Sequence, residues 1–196
     1  MISVHEQHLQ FHLKNDQISY VFRVMEDTGI LENLYYGAAI SDYENYDWLL
    51  EREIRPGNNL VAEKLLTSLE HIKQEMPVYG TTDFRYPALE ITYPDGDSIS
   101  HFRYQGYKIS KGKEVLKPLP GTFGKEDQVQ VLEVFLKDDY SDLHLTLRYA
   151  IYRELPVITR QTILRNEAQQ TYFLKHLASL NFDLPNENYD WLHLDG

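Results

Sequence analysis

Val129-Gln130-Val131-Leu132-Glu133-Val134 and Leu143-His144-Leu145-Thr146-Leu147-Arg148-Tyr149, separated by Asp138-Asp139-Tyr140-Ser141-Asp142, decide the fold. In the first run Val129, Val131 and Glu133 alternate with Gln130, Leu132 and Val134. In the second, Leu143, Leu145, Leu147 and Tyr149 face one way, and His144, Thr146 and Arg148 the other. Successive side chains of a strand point to opposite faces, so this period of two predicts two half-buried strands joined at the polar bend. Downstream, residues 157–164 and 172–182 read as two more strands, with 166–170 as a hairpin loop between them.

The pattern extends upstream. Leu9, Phe11 and Leu13 alternate with Gln10, His12 and Lys14, and Asn15-Asp16 is a turn signal. Ile18, Tyr20 and Phe22 then alternate with Ser19, Val21 and Arg23. Gly29 introduces a third strand over residues 30–36, closed by Gly37, so residues 2–36 read as a β-meander. Leu89, Ile91 and Tyr93 alternate before Pro94-Asp95-Gly96-Asp97, a turn in which Pro fixes one dihedral and Gly accepts a positive one. Residues 99–104 are expected to return as the partner of that strand, with 107–110 following after Gly106 and a Lys-, Gly- and Pro-rich connection at 111–127. Roughly ten to fourteen strands at this spacing, with little helix, predict an all-β antiparallel sandwich.

Residues 38–76 break the pattern. Asp42, Glu44, Asp47, Glu51 and Glu53 cluster with Tyr43, Tyr46 and Trp48, and Pro56-Gly57 follows. Leu65, Leu66, Leu69 and Ile72 give a rough apolar stripe, which predicts a partly irregular or helical insertion. A long loop of this kind inside a β domain is a functional candidate.

Composition bounds the rest. The 196 residues suit one large domain or two small ones. Tyrosine, at 15 copies, suits both strands and sugar contact, because a flat ring carries a polar tip. A net charge of −11 with no basic run argues against nucleic acid. No apolar run reaches the ~18 residues of a membrane helix. The first residues lack the basic start and apolar stretch of a secretory signal, and the absence of cysteine fits the cytoplasm.

Chemistry is harder to find. His8 and His12 lie four apart in a strand, about 13 Å, too far to share a metal. No glycine-rich phosphate loop and no nucleophile elbow is present. Glycosidic cleavage needs an acid and a base or nucleophile, and the loop at 42–53 offers carboxylates, but solvated acids on a loop are seldom catalytic. Contact with sugar hydroxyls and sugar faces suits that loop better. No cofactor and no metal are expected.

At Pro77-Val78-Tyr79-Gly80-Thr81-Thr82-Asp83-Phe84-Arg85-Tyr86-Pro87-Ala88 the chain resembles the N-terminal domain of the bacterial α-galactosidases of glycoside hydrolase family 36. Leu34-Tyr35-Tyr36-Gly37, Lys111-Gly112-Lys113, Leu119-Pro120-Gly121-Thr122, Val157-Ile158-Thr159-Arg160 and Leu184-Pro185-Asn186-Glu187-Asn188-Tyr189-Asp190 sit in family order and spacing. The resemblance implies a β-supersandwich related to the galactose mutarotases, spanning 1–196 as a single domain. It implies that a (β/α)₈ barrel carrying both catalytic aspartates and a small C-terminal β domain follow in a longer chain, so no catalytic residue is expected here. It further implies hydrolysis, with retention, of terminal α-1,6-linked galactose in melibiose, raffinose and stachyose, and assembly as a homo-oligomer, often a tetramer.

In such tetramers a loop of this domain reaches a neighbour's active site with an acid and an arginine. The loop at 42–53 is the positional match, with Glu51 or Glu53 as the acid and Trp48 beside them. The family arginine falls near Leu65, with Lys64 adjacent; Arg52 or Arg55 are the substitutes. Arg85 and Arg160 sit in motifs read as structural. The alternative is a stand-alone carbohydrate-binding or mutarotase-like module using His144 and Glu133; a purely structural oligomerisation scaffold is a third reading.

Overall fold

The computed structural model describes residues 1–50, 68–81, 83–115, 121–185 and 188–190. Among them ten strands form three antiparallel sheets. The first sheet is a meander of β1 (Ile2–His5), β2 (Gln10–Lys14), β3 (Ile18–Val24) and β4 (Leu31–Ala38), in that order. The second large sheet joins β6 (Phe102–Lys111), β7 (Val129–Asp138), β8 (Leu143–Tyr152) and β9 (Ile158–Asn166). A two-stranded sheet pairs β5 (Leu89–Thr92) with β10 (Phe173–Leu177). The meander gains a strand over the expectation because Ile2–His5 pairs with β2, and β4 runs through Gly37 rather than ending there.

The two large sheets enclose one core. Phe11, Leu13, Tyr20 and Phe22 of the first sheet meet Leu132, Val134, Leu145, Leu147 and Tyr149 of the second, all buried. Phe11 stacks on Phe22 at 4.8 Å, and Phe22 on Tyr149 at 5.1 Å, so an aromatic column crosses from sheet to sheet. The period-two reading of β7 and β8 holds. Leu143, Leu145, Leu147 and Tyr149 line the core, and Glu133 and Arg148 pair on the other face at 2.6 Å.

The turn at Asn15 has a visible mechanism. Its side-chain oxygen accepts from the backbone of Gln17 and Ile18 (2.8 and 2.9 Å). Its amide donates to the carbonyls of Tyr152 and Leu155 (2.8 and 2.7 Å), tying the first sheet to the end of β8.

Two expected hairpins do not form. The turn at 94–97 is tight, with Gly96 at φ +92° and Tyr93 N–H bonded to the Asp97 carbonyl at 2.7 Å. The chain beyond it nevertheless leaves β5. The buried Asp138 carboxylate captures the His101 N–H (2.8 Å), the Tyr93 hydroxyl (2.8 Å) and the Ser141 hydroxyl (2.6 Å), and this directs the chain into β6 against β7. Gly106 does not interrupt β6; the register shift between Tyr104 and Gly106 is a β-bulge that leaves Gln105 unpaired. Likewise residues 166–170 turn the chain, but β10 crosses to β5 instead of pairing with β9.

The alternation of β2 and β3 also carries more than expected. Gln10, His12 and Ser19, on the face opposite the core, are buried rather than solvated, because residues 40–50 lie over them. The expected insertion is irregular where described, with one-turn 3-10 segments at Asp47–Leu49 and Leu69–His71. Of the stripe expected to be helical, Leu65 and Leu66 lie outside the described residues, while Leu69 opens and Ile72 caps the second 3-10 turn.

Phe22→Ala should cost about 3–5 kcal/mol, the range for truncating a fully buried aromatic. Urea unfolding would report it, and a loss below about 1 kcal/mol would contradict the central place given to this ring.

Candidate functional site

The described part of the acidic-aromatic loop is held down along its length. At its start Ser19 Oγ accepts from the Ile40 N–H (3.0 Å), and Lys14 donates to the Ile40 carbonyl (3.0 Å). At its middle the Asp42 Oδ1 atom receives Ser3 Oγ (3.0 Å), His5 Nε2 (3.2 Å), His12 Nδ1 (3.0 Å) and Tyr46 OH (2.8 Å). Tyr46 is wholly buried and packs with Val21 and Leu34. Further along, Gln10 accepts from the Tyr46 N–H (2.8 Å) and donates to Asp47 (2.9 Å). Arg23 pairs with Glu32 at 2.7 Å and reaches Asp47 at 3.8 Å.

Hydrogen bonding sets the charge states here. Burial alone would raise the Asp42 carboxyl, but the donors from His12, Tyr46, Ser3 and His5 outweigh it and hold it well below the usual carboxylate range. Burial lowers the His12 imidazole, against the pull of Asp42. Burial, then the negative charge of Asp42, raises the Tyr46 phenol despite the Tyr43 N–H it accepts.

From this anchored base Trp48 projects outward, 60% exposed, with its ring edge-on to Tyr43 at 5.7 Å. Of the residues expected at the site, Trp48 is among the described residues and is exposed. Glu51, Arg52, Glu53, Arg55, Lys64 and Leu65 lie outside the described residues.

A second polar cluster was not read from the sequence. Glu75, fully buried, accepts from Tyr20 OH (2.6 Å) and Asn33 Nδ2 (3.0 Å) on one oxygen, and from Tyr149 OH (2.6 Å) on the other. Arg160 approaches that second oxygen at 3.3 Å and donates to the Glu75 carbonyl at 2.5 Å. Burial pulls the guanidinium down, but the neighbouring Tyr149 and Glu75 outweigh it. Arg160 Nε finds no hydrogen-bond partner among the described residues. Tyr20, Tyr149 and Arg160 of this group line a cleft of about 290 Å³ between β4 and β9, together with Tyr36, Ile158, Leu180 and Phe182. No periodic pattern marks Glu75, and Tyr20 and Tyr149 look like ordinary strand tyrosines, so the sequence held no signal for the cluster. With both carboxylate oxygens occupied, Glu75 is a structural acid.

The arginines read as structural are so placed. Arg85 binds Asp83 (2.8 Å), Asp183 (3.1 Å) and the carbonyls of Leu69 (3.1 Å) and Ile72 (2.7 Å), which locks the motif loop. His144 and Glu133 are not brought together: the residue opposite His144 is Lys137, four positions from Glu133 along β7, about 13 Å by strand rise. Glu133 is engaged by Arg148, and His144 lies near Glu167 at 3.5 Å. The mutarotase-like pair therefore does not form. Among the described residues no group of three or more His, Asp or Glu side chains is gathered to hold a metal. No helix among them is long and apolar enough to cross a membrane.

Residues 29–196 match the Glycosyl hydrolase family 36 N-terminal domain. The chain belongs to this family. It is 35% identical over its whole length to the α-galactosidase Mel36A of Lactobacillus acidophilus, of which it covers 27%. The crystal structure of the α-galactosidase from Lactobacillus brevis superimposes on 96% of the chain with a TM-score of 0.90 at 34% identity, using 25% of that protein. A substituted variant of the α-galactosidase AgaA of Geobacillus stearothermophilus, solved with raffinose, matches 95% of the chain at 34% identity with a TM-score of 0.84, over 26% of its own length. The chain thus spans about a quarter of the relatives it matches, and the family 36 likeness runs through all three sheets.

Removing one member of the Glu75–Arg160 pair strands a buried charge. Glu75→Ala should therefore destabilise the family 36 domain by about 3–5 kcal/mol, while the joint change Glu75→Leu with Arg160→Met should recover most of it. Equilibrium denaturation of the three proteins decides; equal stability of Glu75→Ala and the parent chain would show the pair to be idle.

Proposed function

We propose that this chain is the non-catalytic N-terminal β-supersandwich of an α-galactosidase that removes terminal α-1,6-linked galactose from raffinose-type oligosaccharides with retention. The observation that carries the reading is the match over the full length of this chain, at 34–35% identity, to α-galactosidases of which it covers about a quarter. A β domain whose best-buried carboxylate among the described residues is spent on three hydrogen-bond donors and an arginine needs its acid and nucleophile from elsewhere, about 5–5.5 Å apart in a retaining enzyme. The remainder of the relatives' length is the source, as a (β/α)₈ barrel and a C-terminal β domain.

The domain's own contribution is placement. In a homo-oligomer, a tetramer by family resemblance, the pinned loop presents Trp48 and carries Glu51 or Glu53 toward sugar hydroxyls in a neighbour's site. Arg52 or Arg55 stands in for the family arginine, since Leu65 cannot, with Lys64 the other basic candidate. The absence of cysteine from the sequence agrees with a cytoplasmic enzyme.

Two measurements test this. The isolated chain should give no turnover of an aryl α-galactoside, and turnover by pure material would falsify the assignment of the catalytic groups elsewhere. In the full-length enzyme, Glu51→Ala or Glu53→Ala should raise KM for raffinose by about ten-fold, the loss of one charged contact to a sugar hydroxyl. Unchanged constants in both variants reduce the loop to scaffold.

A further inference from the structure

The hydrogen bonds around His12 close into a circuit that is complete with the ring neutral. Ser19 Oγ accepts the Ile40 N–H at 3.0 Å, so its own hydrogen is free to be donated to His12 Nε2 at 2.8 Å. That fixes Nε2 as an acceptor and places the ring hydrogen on Nδ1, which faces Asp42 Oδ1 at 3.0 Å and Tyr46 OH at 2.7 Å. The Tyr46 hydroxyl accepts from the Tyr43 N–H (3.1 Å) and donates to Asp42 (2.8 Å). With His12 neutral and Asp42 ionised, every one of these donors has an acceptor.

We infer that Asp42, acting through His12 and Tyr46, is the positioning residue that sets where Trp48 stands, and that the latch it forms is released by acid. Adding a proton at His12 Nε2 turns that atom into a second donor aimed at Ser19 Oγ, which already accepts the Ile40 N–H, and drives the buried serine hydrogen away from Nε2, its acceptor. The residue at stake, Ile40, is where the loop leaves the sheet. Other groups facing the imidazole bias it the same way or resist. Lys14 on its own strand and the amino terminus of Met1 oppose a second positive charge, Asp42 favours it, and His5 from β1 shares the same carboxylate oxygen.

The direction follows from linkage. Burial holds the folded-state pKa of His12 below its ordinary 6.5, so the latch contributes fully above that pH and weakens as pH falls through the folded value. Asp42 is held lower still, so its own loss comes at more acid pH, after His12 has titrated. A working enzyme would thus lose the register of this loop before its sheets unfold. The bearing on galactoside contact rests on the role proposed above for the loop; the latch itself does not.

Trp48 and Trp191 are the two tryptophans of the chain, so Trp191→Phe makes Trp48 a single reporter. In that background acrylamide quenching of Trp48 should rise about two-fold between pH 7.5 and 5 while far-ultraviolet dichroism stays constant. Asp42→Ala should show the acid level of quenching already at pH 7.5, and Asp42→Asn, which keeps the shape without the charge, should fall between. Flat quenching across pH, or an Asp42→Ala protein indistinguishable from its parent at pH 7.5, overturns the latch. In the full-length protein Asp42→Ala should then raise KM for raffinose about five-fold with kcat within two-fold. If Trp48 loosens and KM does not move, the latch stands and the loop's place at a neighbouring site is what fails.

Discussion

A single buried carboxylate holds the two large sheets in register. Glu75 lies outside both, in the chain between the acidic loop and β5, yet its two oxygens and its carbonyl are reached from β3 by Tyr20, from β4 by Asn33, from β8 by Tyr149 and from β9 by Arg160. A charge taken out of water is tolerable only when such partners replace the water. The requirement runs in both directions. The carboxylate needs its three donors and the arginine charge, and the phenols of Tyr20 and Tyr149, both pushed up by burial and by Glu75, stay protonated to serve it. Apolar packing brings the sheets together; this group permits only one relative placement of them.

The acidic loop depends on that placement at one remove. Its anchors are β1, β2 and β3, whose inner face forms the core and whose outer face supplies Ser3, His5, His12 and Ser19. A rigid sheet behind a polar layer gives a loop residue such as Trp48 a defined position without burying it. The geometry suits a contact made at a distance from the domain's own core, and it explains why a polar stripe on β2 is worth burying.

Much of the fold was legible because alternation is a statement about faces. β2, β3, β7 and β8 each divide their residues by parity as read, and the turn chemistry at Asn15 and Gly96 was visible in the residues themselves. Parity does not say whether the second face is covered, so Gln10, His12 and Ser19 read as solvent-facing although a loop lies on them. Pairing was legible only where neighbours in sequence are neighbours in space. Tyr93 to Asp97 looks like a hairpin turn and is locally one, but the long-range capture of His101 by Asp138 decides where the chain goes next. In the candidate site the sequence shows Trp48 among acidic and aromatic residues, and the structure shows it exposed. Asp42 passed for one more solvated acid, because nothing in the sequence reveals that two histidines, a serine and a tyrosine converge on it.

The pairing of β5 with β10 has a consequence for biosynthesis. Leu89 finds its partner in Leu177, nearly half the chain later. The meander of β1 to β4 is local and can close early on the ribosome, but β5 must wait with a free edge while all of β6 to β9 is made. During that interval Leu89 and Ile91, wholly buried in the finished domain, have only part of their cover. Synthesis therefore carries an obligatory window in which one edge of β5 is displayed unpaired, and the speed at which β10 arrives governs how much of the product escapes aggregation.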